Sequence, residues 1–163
     1  MTLIDEFDFY HCQSLIQVNI PSSVTIINTG AFESCISLKT LTILSSTTKI
    51  EKEVFSWSVS LKHINMFSFI PEININLFEF CHLITQIMIP SSVVGINSCA
   101  FYDCTSLTKV IIPSSVKTIG IQAFYECSSL VEIMIPSSVT IIEKQAFYNC
   151  STLEQIVIPS FVA

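Results

Sequence analysis

A 23-residue period runs through this chain and constrains its fold more than any other feature. Phenylalanine recurs at that interval seven times, at Phe9, Phe32, Phe55, Phe78, Phe101, Phe124 and Phe147. Cysteine recurs at the same interval at Cys12, Cys35, Cys81, Cys104, Cys127 and Cys150, with Ser58 in the one remaining place. Two aliphatic ladders share the register, one from Leu15 to Leu153 and one from Ile20 to Ile158. Four ladders in one register predict seven stacked repeat units.

Each unit contains the signals of a strand, a stop and a return to the core. In residues 107–128, Leu107, Val110 and Ile112 follow an L-x-x-L-x-L pattern whose last two apolar residues alternate as in a strand. Pro113 then ends the strand because proline has no N–H for the ladder. Val116 and Ile119 return the chain to the core. The segment 122–127 has helical spacing, so we expect a short helical turn on the opposite side.

One coil of this size cannot bury its apolar face alone, whereas stacked coils share a continuous core. We therefore expect one solenoid domain over residues 1–163, an α/β repeat of about seven coils. Its parallel strands, about 4.8 Å apart, would form a sheet extending roughly 30 Å. Because a helical turn needs more room than a strand, we expect the sheet on the concave face and the helical turns on the convex face.

The repeated motifs Ile-Pro-Ser-Ser-Val, Ala-Phe-x-x-Cys and Ser-Leu resemble the BspA-type leucine-rich repeats. The resemblance covers essentially the whole chain, is strongest over residues 89–159 and is weakest over residues 44–80, where Leu44 and Phe67 replace the proline. It implies a right-handed, curved leucine-rich-repeat solenoid that binds protein. It also implies an adhesion or surface-antigen role, and it brings no catalytic residue.

Composition excludes several other classes of protein. Half of the residues are apolar and the mean hydropathy is +0.64, but polar residues interrupt the most apolar stretch, 69–90, so we expect no membrane span. The net charge of −6, with only seven Lys and Arg, gives no basic stripe for nucleic acid. Residues 1–8 lack the pattern of a secretory signal, which favours the cytoplasm, whereas the family resemblance implies the cell surface. The compartment therefore stays open.

The cysteine ladder has two interpretations. The favoured one is that the six side chains are small apolar residues packed beneath the phenylalanines. The alternative is an oxidised stack, because neighbouring coils would bring Cα atoms within disulfide range. An odd total of seven cysteines and the missing secretory signal weigh against it. Cys99 lies outside the ladder and would be the more reactive thiol if exposed.

No pattern of catalytic or metal-ligating residues is present. The three histidines, His11, His63 and His82, have no zinc-ligand spacing with the cysteines. There is no Gly-x-Ser-x-Gly motif, and three glycines cannot build a phosphate-binding loop. We therefore expect no enzyme activity, no metal and no cofactor. The sequon at residues 149–151 is interpreted as a coincidence, because Cys150 belongs to the core ladder.

The predicted partner-binding site lies among the residues that flank the central apolar residue of each strand, because these side chains point away from the core. One set of outward positions is polar throughout, namely Gln17, Thr40, His63, Gln86, Lys109, Glu132 and Gln155. The other changes from polar to apolar halfway along, through Asn19, Thr42, Asn65, Met88, Ile111, Met134 and Val157. We predict that a protein partner binds the last four residues and their polar border, Gln86, Lys109, Glu132 and Gln155. The alternative is that these apolar residues only stabilise the sheet by cross-strand packing.

The two ends of the chain suggest a second hypothesis. Met1 falls in register with Val24, and the chain stops at residues 161–163 without a polar terminal unit. We therefore expect a solenoid without dedicated caps. Such a chain would be a structural module that self-associates end to end, or a fragment of a longer repeat protein.

Overall fold

The computed structural model describes residues 2–44, 46–66, 69–160 and 162. Expectations that involve Met1, Phe67, Phe161 or Ala163 lie outside these residues. The described chain is a parallel β-solenoid of about seven coils, in which each strand pairs with the equivalent strand of a neighbouring coil. Paired residues are separated by 23 positions, except at a register shift between Thr2 and Leu3. This separation confirms the period found in the sequence.

A first row of strands follows the L-x-x-L-x-L pattern, as predicted. Its three-stranded sheet contains β2 (Gln17–Ile20), β4 (Thr40–Ile43) and β6 (His63–Met66). Its four-stranded sheet contains β8 (Gln86–Met88), β10 (Lys109–Ile111), β12 (Glu132–Met134) and β14 (Gln155–Val157). In β10 and β12, Val110 and Ile133 are buried while both flanking residues are exposed. The alternation therefore sets which side chains face outward.

A second row of strands was not predicted. Its three-stranded sheet contains β1 (Thr2–Ile4), β3 (Val24–Ile27) and β5 (Lys49–Ile50). Its four-stranded sheet contains β7 (Glu72–Ile73), β9 (Gly95–Ile96), β11 (Thr118–Ile119) and β13 (Ile141–Ile142). Each of these strands contains Ile119 or its equivalent, which was expected only to return the chain to the core.

The expected short helical turns on the opposite side are wrong, and consecutive β-turns take their place. In one coil the N–H groups of Ala100, Tyr102 and Cys104 donate to carbonyls three residues earlier. The alternate N–H groups, of Cys99, Phe101 and Asp103, donate to the next coil instead, at 2.8–2.9 Å. A helix would need all of these donors within its own coil, so the ladder between coils excludes it.

The turns have a backbone signature that recurs in every coil. Cys99 and Asp103 have φ values of 54° and 55°, and each is the third residue of a four-residue turn, where a type II turn requires positive φ. The same two positions have positive φ in each of the seven coils, and Gly30 is the glycine among them. Curvature was expected because helical turns need more room than strands. Since β-turns replace the helical turns, the concavity of the first row remains a prediction. None of the described residues forms a helix long and apolar enough to cross a membrane.

The core contains the phenylalanine ladder as a continuous stack of rings. Centroids of successive rings are 4.9–5.8 Å apart and the rings are nearly parallel. Phe55, Phe78, Phe101 and Phe124 are fully buried, whereas Phe9 in the first coil is 41% exposed. Interior coils therefore bury each ring on both faces, and the first coil buries only one.

Both rows of strands are interrupted between the third and fourth coils. Strands β6 and β8 belong to different sheets, as do β5 and β7. Pro71 explains part of this, because the residues at its position in other coils, such as Val94 and Lys117, donate an N–H to the preceding coil. At the same junction the side-chain Nδ2 of Asn74 donates to the Ile50 carbonyl at 2.7 Å. In the next coil the backbone N–H of Asn97 makes the equivalent bond.

Candidate functional site

The four predicted apolar residues lie side by side on the outward face of the first row, here called the first sheet face. The strand register pairs Met88 with Ile111, Ile111 with Met134, and Met134 with Val157. Their exposures are 73%, 49%, 73% and 62%, respectively. These residues, which we call the apolar stripe, form a contiguous apolar surface across the whole four-stranded sheet.

A polar column borders the apolar stripe on one side. It consists of the predicted residues Gln86, Lys109, Glu132 and Gln155, which are all exposed. Lys109 and Glu132 are direct neighbours in the strand register. None of the ion pairs found among the described residues joins these two. On the other side the stripe is bordered by half-buried prolines, among them Pro113 and Pro136.

A hollow of about 580 Å³ opens in the middle of this surface. Ile111 and Met134 contribute its apolar lining, together with Val131 and Pro136. Lys109 and Glu132 line it as well. The hollow therefore combines an apolar wall with two opposite charges, an arrangement that suits an amphipathic group.

The equivalent face of the first three coils is polar. Asn19, Thr42 and Asn65 occupy the positions that correspond to the apolar stripe. Gln17 Nε2 donates to Asn19 Oδ1 at 3.3 Å, so polar side chains there pair with each other. The change in chemistry coincides with the interruption of the sheet after β6. The apolar stripe is thus confined to one sheet.

The structure gives the cysteine ladder a specific packing role. The thiol of Cys104 donates to the Phe78 carbonyl oxygen at 3.2 Å, and Cys127 does the same to Phe101. Ser58, which replaces cysteine in the third coil, donates its hydroxyl to the Phe32 carbonyl at 3.5 Å. Serine fits this rung because it supplies the same donor in a small side chain.

These thiols are free, and burial disfavours their reactive thiolate form. All seven cysteines are free thiols in the structure. Burial raises the pKa of Cys35 and of Cys150 to about 11, and raises that of Cys104 well above its ordinary value. Cys99, the residue outside the ladder, is half-buried, and desolvation raises its pKa too. Since the thiolate is the nucleophile, none of these four is activated.

Two surface clusters were missed by sequence reasoning. His82 Nε2 lies 3.1 Å from Asp103 Oδ2 in the next coil. A row of aromatic rings also crosses the turn side, with stacked centroids 4.1–4.7 Å apart in the pairs Trp57–Phe80, Tyr102–Tyr125 and Tyr125–Tyr148. Tyrosine at 23-residue intervals was a usable signal for the row, whereas the histidine and aspartate occupy different repeat positions. Within the described part of the chain, no three His, Cys, Asp or Glu side chains converge as metal ligands would.

Comparison with known proteins gives a family and several similar structures. A family model described as "BspA type Leucine rich repeat region" matches residues 2–110 and 71–163 in 6 copies. A leucine-rich repeat protein from Bacteroides ovatus is 31% identical with a TM-score of 0.93, and the match covers 99% of this chain and 42% of that one. A T. pallidum leucine-rich repeat protein is 29% identical with a TM-score of 0.85, covering 95% of this chain and 72% of that one.

A leucine-rich repeat protein from Eubacterium ventriosum shares the fold, with a TM-score of 0.79 at 22% identity over 99% of this chain and 49% of that one. The chain therefore spans less than half the length of the B. ovatus and E. ventriosum proteins. Comparison with curated proteins gives no match.

Proposed function

Because the chain belongs to the BspA-type leucine-rich-repeat family, we propose that it is a non-catalytic, adhesion-type module that binds a protein partner through the first sheet face. The apolar stripe is the observation that carries this proposal. Contiguous exposed apolar surface with a polar rim is typical of a partner site, and unbranched methionine adapts to varied partners. The absence of catalysis is part of the same proposal. Its support is that the four thiols described above are protonated at neutral pH.

The first three coils argue against a purely stabilising role for the apolar stripe. The three-stranded sheet has polar residues at the equivalent positions, yet its strands pair in the same register. Apolar outward residues are therefore not needed for this sheet to form. Exposures of 49–73% also leave much of each side chain uncovered by its neighbours. A partner that covers this surface would remove it from water, which favours binding by about 25 cal/mol per Å² of apolar area buried.

A double substitution, Ile111→Asp with Met134→Asp, tests the proposed site. We expect capture of the partner from an extract of the source cells to be lost, because two charges would be desolvated in the interface. We expect the thermal midpoint to move little, because both side chains point outward. Quantitative mass spectrometry of the captured proteins and thermal unfolding give the two readouts.

The matched control is Thr42→Asp with Asn65→Asp, which adds the same charges at equivalent positions of the polar sheet. It should leave capture unchanged. Undiminished capture by the first variant, or a collapse of its thermal midpoint, would refute the site assignment.

End-to-end self-association is a second candidate, favoured by the exposed ends of the described stack. Phe9 is 41% exposed and Phe147 is only half-buried, unlike their fully or nearly fully buried equivalents in interior coils. A second copy could cover these residues by continuing the ladders. Light scattering over a range of protein concentrations should then show particles that grow with concentration. A monomer at every concentration would exclude this candidate.

A further inference from the structure

The apolar stripe has a spacing that selects among partners, if the proposed function is correct. Its four residues lie on four adjacent parallel strands, so neighbouring residues are about 4.8 Å apart along the solenoid axis. The distance from Met88 to Val157 is three such steps, or roughly 14 Å. A partner that contacts all four residues must repeat an apolar group at about this interval.

Helical and extended partners differ in this respect. In a helix, apolar residues at i, i+3, i+7 and i+10 lie on one face and span about 15 Å at 1.5 Å per residue. Measured along the solenoid axis, the position of each of these helix residues lies within roughly 1 Å of the position of one stripe residue. An extended chain repeats each face every ~6.6 Å, so its fourth residue would overshoot the stripe by about 5 Å.

We propose that the occupant of the apolar stripe is an amphipathic helix of the partner, lying across strands β8, β10, β12 and β14. The half-buried prolines border the helix on one side and the polar column borders it on the other. The hollow beside Ile111 and Met134 lies under the middle of the helix. It therefore accepts the largest apolar side chain of the helix, at i+3 or i+7, where binding energy is concentrated in many interfaces.

The charges beside the stripe add a requirement on the partner helix. Lys109 and Glu132 lie one strand apart, and residues one helical turn apart are separated by a similar distance along a helix. An acidic and a basic residue, one turn apart on the edge of the apolar face, would therefore meet Lys109 and Glu132, respectively. This complementarity defines the direction of the helix on the sheet.

The test uses two fluorescein-labelled peptides of about 14 residues and identical composition. The helical probe carries three leucines and one central tryptophan at i, i+3, i+7 and i+10, with glutamate and lysine placed to face Lys109 and Glu132. The control probe carries the same apolar residues at alternating positions, the period of a strand. Fluorescence anisotropy measures affinity, and circular dichroism measures the helix gained on binding.

We expect the helical probe to bind the full chain at least tenfold more tightly than the control probe and to gain helix on binding. Ile111→Asp should weaken the helical probe by about tenfold or more, and Thr42→Asp should not change it. Exchanging the charges, by Lys109→Glu with Glu132→Lys, should weaken this probe by about two- to fivefold and favour a probe with its charges exchanged.

Three outcomes would overturn the helical occupant: no binding of the helical probe, equal affinity for both probes, or binding unaffected by Ile111→Asp. Tighter binding of the alternating probe that is lost in Ile111→Asp would leave the proposed function standing and reject the helix. Both proposals would be rejected if no substitution in the apolar stripe weakened the binding of either probe and the double variant still captured the partner.

Discussion

Replacing Phe101 with alanine should destabilise the fold by roughly 3–5 kcal/mol, the usual cost of removing a buried aromatic ring. Phe101 is fully buried, and its ring lies between those of Phe78 and Phe124, at centroid distances of 5.6 and 5.2 Å. The substitution removes two stacked pairs and leaves a cavity in the middle of the core. Each such pair contributes about 0.5–1.5 kcal/mol beyond the buried area.

The same change at Phe9 should cost about half as much, roughly 1.5–2.5 kcal/mol. Phe9 is 41% exposed and stacks on one ring only, that of Phe32 at 4.9 Å. Water can also reach the space that its ring leaves. Phe69→Ala is the control, because Phe69 is 69% exposed and its loss should change stability by no more than about 0.5 kcal/mol.

Equilibrium urea unfolding, followed by circular dichroism, measures these differences. Repeat proteins can unfold in stages, so the slope of each transition must match that of the parent chain before midpoints are compared. Equal and small losses for Phe101→Ala and Phe9→Ala would refute the shared aromatic core.

Three further predictions concern the junction, the glycines and the thiols. Asn74→Ala should cost about 1–2 kcal/mol in urea unfolding, because the Asn74 side chain replaces a backbone bond to the preceding coil and also accepts a bond from Asn97 Nδ2; a loss below about 0.5 kcal/mol would contradict this. Gly120→Ala should cost about 1–3 kcal/mol, since an added Cβ would lie 2.8 Å from backbone atoms of Asn97 and Ser98, whereas Gly95→Ala meets only a side chain at 3.2 Å and should cost less. Because burial raises the pKa of Cys35 to about 11, the folded state disfavours its thiolate, so stability should hold below about pH 8.5 and fall as the pH rises through 9 to 11. Thermal midpoints against pH would show this fall, and Cys35→Ser should make it shallower; an identical pH profile for the variant would exclude the thiol as a cause.

The repeat register and the outward face could be predicted because both depend on simple periods. A 23-residue interval places equivalent residues one coil apart, and alternation within a strand then decides which side chains face outward. The register of Met88, Ile111 and Met134 follows directly from these two rules and is confirmed. That they bind a partner remains a proposal, since position and exposure do not identify an occupant.

The turn side could not be predicted from spacing alone. Ala123, Phe124 and Cys127 point inward from consecutive β-turns just as they would from one turn of a helix. The difference lies in positive φ at Gln122 and Glu126, residue types that do not announce that conformation as glycine or asparagine does. Two-residue strands such as Thr118–Ile119 are likewise too short to show an alternating pattern.

The binding surface can be tested most directly by NMR of the methionine methyl groups. The chain has four methionines, of which Met88 and Met134 belong to the apolar stripe while Met66 is half-buried against the core. With selectively labelled protein and the partner recovered by capture, we expect the methyl signals of Met88 and Met134 to shift or broaden on binding, and that of Met66 to stay unchanged. Saturated binding that leaves both stripe signals unchanged would contradict it.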